Sequence, residues 1–467
     1  MFCCFNTVIL LWYYTATDDG LSNIKMINIK AILKREDIRK FVSESWALCW
    51  PMTLIMFFEF LIGLTDIYIA GRVGKEIQAT YGFVIQLYFI FVIIGNALSI
   101  GTVAVISKLF TSNDREELAK AVYSTVITTV MAGIIFGIAG IIFTPEIISI
   151  VNIPHQLKPF AVPLGRIYAA GLLFHYILIN SNGILRACKK VRSSLQTMAI
   201  VCFSNIGLNF FLVFHTHLGF RGIAISTATS VFIGSILNLW RIRVFMSRAK
   251  RFSLYLTKSI IGIGWPSGLL QILWQFHSMV IFLILSALPK HNVEILAALS
   301  VGIRIESAIF LPAIAFNMAN AVIVGNLLGE KRKEDAFRAG IITALMGAII
   351  VIFLTIVVIL NARWIASFLS TNDVVIAESI KYLYISMLSE PFMALWVILG
   401  GALNGAGDTR GVMVIVALSL WLVRIPLSYI FVVVFGFGAV SVWWVMNLSQ
   451  FLMALFMTRR YLKRKWL

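Results

Sequence analysis

The sequence predicts an all-α integral membrane protein, with twelve transmembrane helices in two six-helix lobes related by an internal pseudo-two-fold repeat. Three observations predict it. Sixty per cent of the 467 residues are hydrophobic and only 13% are charged, with a mean hydropathy of +0.92, beyond what a soluble core requires. The apolar residues fall into twelve long stretches rather than many short ones. The same markers then occur twice: Leu185-Arg186-Ala187 precedes Leu403-Asn404-Gly405 by 218 positions, and Glu116-Glu117 precedes Glu334-Asp335 by the same 218. Trp50-Pro51 likewise returns as Trp265-Pro266. A duplicated helix set around a central cavity is the usual layout of a secondary transporter.

Residues 1–44 form an N-terminal segment outside the lobes. Its apolar run from Phe2 to Tyr14 is too short to span and lacks the basic start of a signal peptide. Ile24 to Phe41 reads as a basic amphipathic helix at the inner surface, and Met26 offers an alternative start. The N-lobe occupies 45–240, with spans at 45–70, 80–108, 121–144, 160–182, 193–215 and 222–241. A basic linker covers 241–258. The C-lobe covers 259–460, with spans at 259–288, 296–327, 339–361, 376–403, 412–434 and 438–458, and a basic tail ends the chain at 461–467. Each stretch reaches the ~20 residues that cross ~30 Å of hydrocarbon as a helix. Barrel strands would be half as long and would alternate polar with apolar.

Most of the 39 basic residues fall on one side of this topology, including the linker, the tail and Lys331-Arg332-Lys333. Arg72, Lys75, Lys158, Arg166, Arg221, Lys290, Arg363 and Lys381 fall on the other. The bias places both termini in the cytoplasm of a multi-pass plasma (inner) membrane protein. The formal charge of +18 therefore reflects topology and anionic lipid heads, not a nucleic-acid partner. Residues 111–117 and 329–335 read as tight, self-neutralising turns. Pro391 in the tenth span and Pro312 in the eighth are the expected bends. The five cysteines show neither metal spacing nor a disulfide framework.

Acidic residues inside spans carry the sharpest functional signal. Glu59 and Asp66 lie seven residues apart, two helical turns, and so share one face of the first span. A carboxylate in hydrocarbon either finds a partner or takes up a proton, which is the behaviour an ion-coupled carrier uses. Asp66 also reads as a brace near a helix end, since Ala70-Gly71-Arg72 follows. Asn205 and Asn209 form an i, i+4 amide stripe, Asn180 closes the fourth span, and Thr227 lies on the sixth. A second rank comprises Glu306, Glu390 and Arg304, with Gln271 and Gln275 on the seventh span; Arg424 and His277 add polarity nearby. Charges in this lobe read mainly as cross-helix pairs. The abundant aromatics and a carboxylate on an apolar wall favour organic cations.

Over residues 45–460 the sequence resembles the multidrug and toxic compound extrusion family. The resemblance rests on Leu64-Thr65-Asp66-Ile67-Tyr68-Ile69-Ala70-Gly71-Arg72-Val73-Gly74, on Ile184-Leu185-Arg186-Ala187, and on Leu403-Asn404-Gly405-Ala406-Gly407-Asp408-Thr409, where Asn404 replaces the family's arginine. Gly302-Ile303-Arg304-Ile305-Glu306-Ser307 and Leu327-Leu328-Gly329 add to it. It implies a proton- or sodium-coupled exporter of cationic and amphiphilic compounds, working as a monomer among membrane lipids without an organic cofactor. It further implies a DinF-like N-lobe site at Asp66, Asn205, Asn209 and Thr227, with the proton favoured and Na+ near Asp66 the alternative. Two departures stand out. Many DinF-like members carry aspartate at the position of Asn209 and glutamine at that of Glu59, so Glu59 and Asp66 are expected to share the coupling role. The NorM-like acid of the seventh span is absent, since the sequence there reads Gln271-Ile272-Leu273-Trp274-Gln275. A flippase for lipid-linked saccharides is the alternative function, disfavoured by the scarcity of buried arginines. A membrane enzyme is further disfavoured, since the histidines form no catalytic motif such as His-Glu-x-x-His.

Overall fold

The computed structural model describes residues 35–151, 154–247, 250–289 and 291–467, so the expected N-terminal amphipathic helix, Met26 and the apolar run at Phe2 lie mostly outside the described residues. Among the described residues, twelve helical stretches are long and apolar enough to cross a membrane. The first lobe contains α1 (Arg35–Val73), α2 (Lys75–Thr111), α3 (Arg115–Ile150), α4 (Lys158–Ala187), α5 (Val191–Phe214) and α6 (Arg221–Ile242). The second contains α7 (Leu254–Ser286), α8 (Asn292–Gly329) and α9 (Lys333–Leu360), then a short α10 (Ala362–Leu369). The tenth span follows as α11 (Asp373–Ser386) and α12 (Glu390–Ala406), the eleventh as α13 (Thr409–Leu418) and α14 (Ile425–Tyr429), and the twelfth as α15 (Ala439–Leu462).

The two prolines expected to bend their spans behave differently. A 3-10 turn at Met387–Ser389 breaks the tenth span immediately before Pro391, which sits in the first turn of α12, where its missing N–H costs nothing. Pro312 lies inside α8, which runs as one helix from Asn292 to Gly329. The irregular span is the eleventh. There α13 and α14 are joined and followed by π-helical turns at Ser419–Arg424 and Ile430–Val434, around Pro426.

The repeated Leu185-Arg186-Ala187 and Leu403-Asn404-Gly405 turn out to mark helix stops. Lys190 N donates to Leu185 O (2.7 Å) and Lys189 N to Arg186 O (3.0 Å), which closes α4 with a left-handed residue at Lys189 (φ 57°). The same pair of bonds closes α12: Asp408 N to Leu403 O (2.8 Å) and Gly407 N to Asn404 O (3.0 Å), with Gly407 at φ 90°. This is the two-bond C-terminal cap in which a left-handed residue satisfies the last carbonyls. The acidic markers open the third helix of each lobe. Asp114 caps α3 by accepting from Glu117 N (2.9 Å), and Glu334 and Asp335 occupy the first turn of α9, where negative charge complements the helix dipole.

Within each lobe neighbouring helices pack closely, and the first helix of each lobe leans on the other lobe. α1 packs against α8 and α9, while α7 packs against α2 and α3. Glycines permit the closest crossings: a Cβ on Gly101 of α2 would strike Ile260 O of α7, and one on Gly264 would strike Ala97 O. Ser107 and Gly325, equivalent positions of the two repeats, touch each other, so the repeat axis passes between them. On either side of that axis the lobes are latched by equivalent residues. Lys108 Nζ donates to Ala406 O at the end of α12 (2.7 Å), and Asn326 Nδ2 donates to Ala187 O at the end of α4 (3.3 Å). Thr111 Oγ1 donates to Asn326 O (2.7 Å), and Lys189 faces Glu330 (3.7 Å). Ser45 and Thr343 hydroxyls meet at 2.7 Å between α1 and α9. All of these contacts lie toward the end of the bundle that carries the basic linker.

Candidate functional site

Four helices converge on Asp66. It lies in the second half of α1 with 2% of its surface exposed, against α5, with α2 and α6 alongside. The i, i+4 spacing of Asn205 and Asn209 places both amides on one stripe of α5, and both are fully buried. Asn209 Nδ2 donates to Asp66 Oδ1 (2.6 Å) and to Asn205 Oδ1 (3.1 Å). Asn205 Nδ2 donates to Thr227 Oγ1 (3.1 Å), and the Thr227 hydroxyl in turn donates to Asp66 Oδ2 (3.0 Å). The four side chains form a closed ring. Tyr81 of α2 adds a longer bond, its hydroxyl donating to Asp66 Oδ2 at 3.4 Å.

Every neighbour of the carboxylate is a donor, the arrangement that an ionised carboxylate requires in a dry site. One acceptor in the ring is unused: Asn209 Oδ1 is buried without a hydrogen-bond partner. Turning the Asn209 amide would bring that oxygen to Asp66, where it could accept a proton carried by the acid. The ring can thus hold either protonation state, at the cost of rearranging its bonds.

Tyr81 did not emerge from the sequence. It sits in an aromatic-rich stretch of α2 where nothing distinguishes it from Phe83 or Tyr88. The other expected residues lie elsewhere. Asn180 ties α4 to α2, accepting from Thr102 Oγ1 (3.3 Å) and donating to Gly95 O (3.3 Å), and donates to Tyr176 O within its own helix (3.0 Å). Glu59 is exposed and is outside the Asp66 ring. Its electrostatic partner is Arg186 at the end of α4, whose Nη1 reaches across the lobes to Met318 Sδ (3.0 Å).

In the second lobe, half-buried Glu306 accepts from the Tyr382 hydroxyl (2.7 Å). Glu390 and Arg424 are buried at 4% and 2% exposure. Arg304 and Gln275 are exposed, and Gln271 is half-buried, donating to Ser267 O at 3.4 Å. Among the described residues, no group of three or more His, Cys, Asp and Glu side chains could hold a metal ion.

Comparison with known proteins follows the same outline. The profile of the family described as MatE matches residues 51–212 and again 266–430, one match in each lobe. The chain is 22% identical to a protein named "Probable multidrug resistance protein NorM" from Thermotoga maritima, over 89% of this chain and 90% of that one. It is 19% identical to "Uncharacterized transporter YisQ" from Bacillus subtilis, over 94% and 98%. Its fold matches the bent form of the Vibrio cholerae MATE transporter VcmN with a TM-score of 0.85 at 18% identity, covering 92% of this chain and 98% of that one.

Proposed function

We propose that this chain, which belongs to the MatE family and has the fold of a secondary transporter, is an antiporter that exports cationic or amphiphilic organic compounds. The import of protons drives it, and Asp66 is the group that couples the two movements. The single observation behind this reading is the Asp66 ring: one buried carboxylate, three donors aimed at it, and one spare acceptor. In the DinF-like manner, the coupling site belongs to the first lobe.

The latched end is read as the cytoplasmic one, because it carries the basic linker. The conformation is then outward-facing, with the cytoplasmic path sealed by Lys108, Thr111 and Asn326. In this state a proton arrives at Asp66, removes the negative charge that holds an organic cation, and the cation leaves. The ring rearranges around the neutral acid, α1 shifts with it, and the lobes rock toward the opposite side. Deprotonation toward the cytoplasm restores the charge and reloads substrate. The coupling is reciprocal, since proton and cation compete for one electrostatic site. Glu59, exposed on the same helix, is placed to meet the substrate's positive charge outside the ring. The carrier acts as a monomer in the plasma membrane.

The test is efflux of a fluorescent organic cation from proteoliposomes under separately imposed proton and sodium gradients. Proton-driven efflux supports the reading. Sodium-driven efflux without a proton response would move the coupling to Na+, and no efflux under either gradient would favour a lipid-linked substrate.

A further inference from the structure

We propose that Arg424 is a built-in counter-cation that occupies the electrostatic place of an inorganic ion in the second lobe, so that this lobe takes up no sodium. The argument begins with two carboxylates in one low-dielectric region. Glu306 accepts from the Tyr382 hydroxyl (2.7 Å), and Glu390 has its Oε2 buried without a hydrogen-bond partner. The two acids act on each other electrostatically. A buried carboxylate beside a half-buried one is sustained by a positive charge or by protons.

The oxygen set around them suits a monovalent cation. Asn447 Oδ1 is also buried without a hydrogen-bond partner, on a side chain whose Nδ2 donates to Ile385 O (2.7 Å), beside Ser386, whose hydroxyl lies toward Glu306; carboxylate, amide and hydroxyl oxygens are the ligands of hard cations. The positive charge present is instead a side chain. Arg424 is 2% exposed and ends the π-helical turn Ser419–Arg424, a wide turn of the kind found at functional positions. Its guanidinium is fixed from α15, with Nε donating to Ser449 Oγ (2.6 Å) and Nη2 to Met446 O (3.4 Å). Met446 adjoins Asn447, whose Nδ2 donates to Ile385 O, so Arg424 is anchored beside the segment whose Tyr382 bonds Glu306; its charge favours the ionised form of Glu306, and no ion pair joins the two among the described residues. A guanidinium never gives up its proton, so this charge is permanent, unlike that of a bound ion.

The consequence is that removing the charge creates a cation site. The test measures radioactive sodium binding to the purified full chain in an Asp66→Asn background, which removes the carboxylate of the first lobe. The Asp66→Asn protein is expected to bind no sodium through this lobe. Adding Arg424→Met should create saturable binding of about one ion per chain, at least about tenfold above background, a difference of about 1.4 kcal/mol. Adding Glu306→Gln to that variant should abolish it, while Arg424→Lys, which keeps a charge, should bind none. A folded Arg424→Met protein that takes up no sodium would overturn the proposal. If that variant does not fold, Asp66→Asn alone against Asp66→Asn/Glu306→Gln decides: sodium binding lost with Glu306 overturns it, and no binding in either supports it. Transport plays no part in this readout, so it stands or fails separately from the exporter reading.

Discussion

Replacing Asp66 with asparagine removes one charge and leaves the size of the side chain unchanged. The ring around it contains a single carboxylate, so one proton per cycle is the stoichiometry to which it is suited. Each pH unit is worth about 1.4 kcal/mol, or a tenfold ratio, for one proton. A gradient of about two pH units should then drive about 100-fold accumulation of a neutral-exchange substrate in wild type, and the Asp66→Asn carrier should fall to a ratio of about one. The fold should survive. The new amide still accepts from Asn209 or Thr227 but presents a donor to one of them, a mismatch of about 1–3 kcal/mol in a buried site. The assay is accumulation of a fluorescent organic cation in proteoliposomes at matched protein density, with thermal unfolding as the control. A folded Asp66→Asn protein that still accumulates its substrate about 100-fold under the same gradient would refute the reasoning.

Other perturbations act on the ring and on the latch. Thr227→Val keeps the shape but deletes the donor to Asp66 and the acceptor of Asn205, a loss of about 1.5–3 kcal/mol for a bond to a charged group; it should lower the unfolding temperature and slow proton-driven exchange about tenfold or more. Lys108→Met removes a charge-assisted bond to Ala406 O worth about 1.5–3 kcal/mol. It should raise the inward-open population about tenfold or more, read as shortened distances between spin labels at the non-linker end. Gly101→Leu forces a side chain against Ile260 O, an overpacking of about 1–3 kcal/mol, and the same label pairs should again shorten as the lobes part at the opposite, basic end.

Much of the fold was legible in the sequence because hydrocarbon imposes length and periodicity on a chain. The 218-residue repeat was legible as well, although its physical meaning was not: Leu185-Arg186-Ala187 and Leu403-Asn404-Gly405 mark helix stops whose carbonyls receive Asn326 and Lys108 from the opposite lobe. The π-helical turns of the eleventh span are not legible in the sequence, since Pro426 signals a disturbance without stating its kind. In the candidate site, the i, i+4 amides pointed to a shared stripe. Nothing in a single sequence says that this stripe meets Asp66 across 143 positions, or that Tyr81 joins it. The relation of Glu59 to Asp66 shows the same limit. Seven-residue spacing puts both on one face of α1, but Asn209 and Thr227 from other helices meet Asp66, and Glu59 stays outside that ring, where Arg186 is the charge that acts on it. Charge pairs between helices depend on packing, and packing is the part a hydropathy pattern leaves open.

The most direct test of the central claim is to count protons released when substrate binds. Purified protein in weakly buffered detergent solution, near neutral pH, would receive an organic cation while a pH indicator is followed. If proton and cation compete for Asp66, wild type should release up to about one proton per bound cation, by linkage between the two ligands, and Asp66→Asn should release none. Equal release from both proteins, or substrate binding by wild type with no proton released across the pH range, would contradict the assignment of coupling to Asp66.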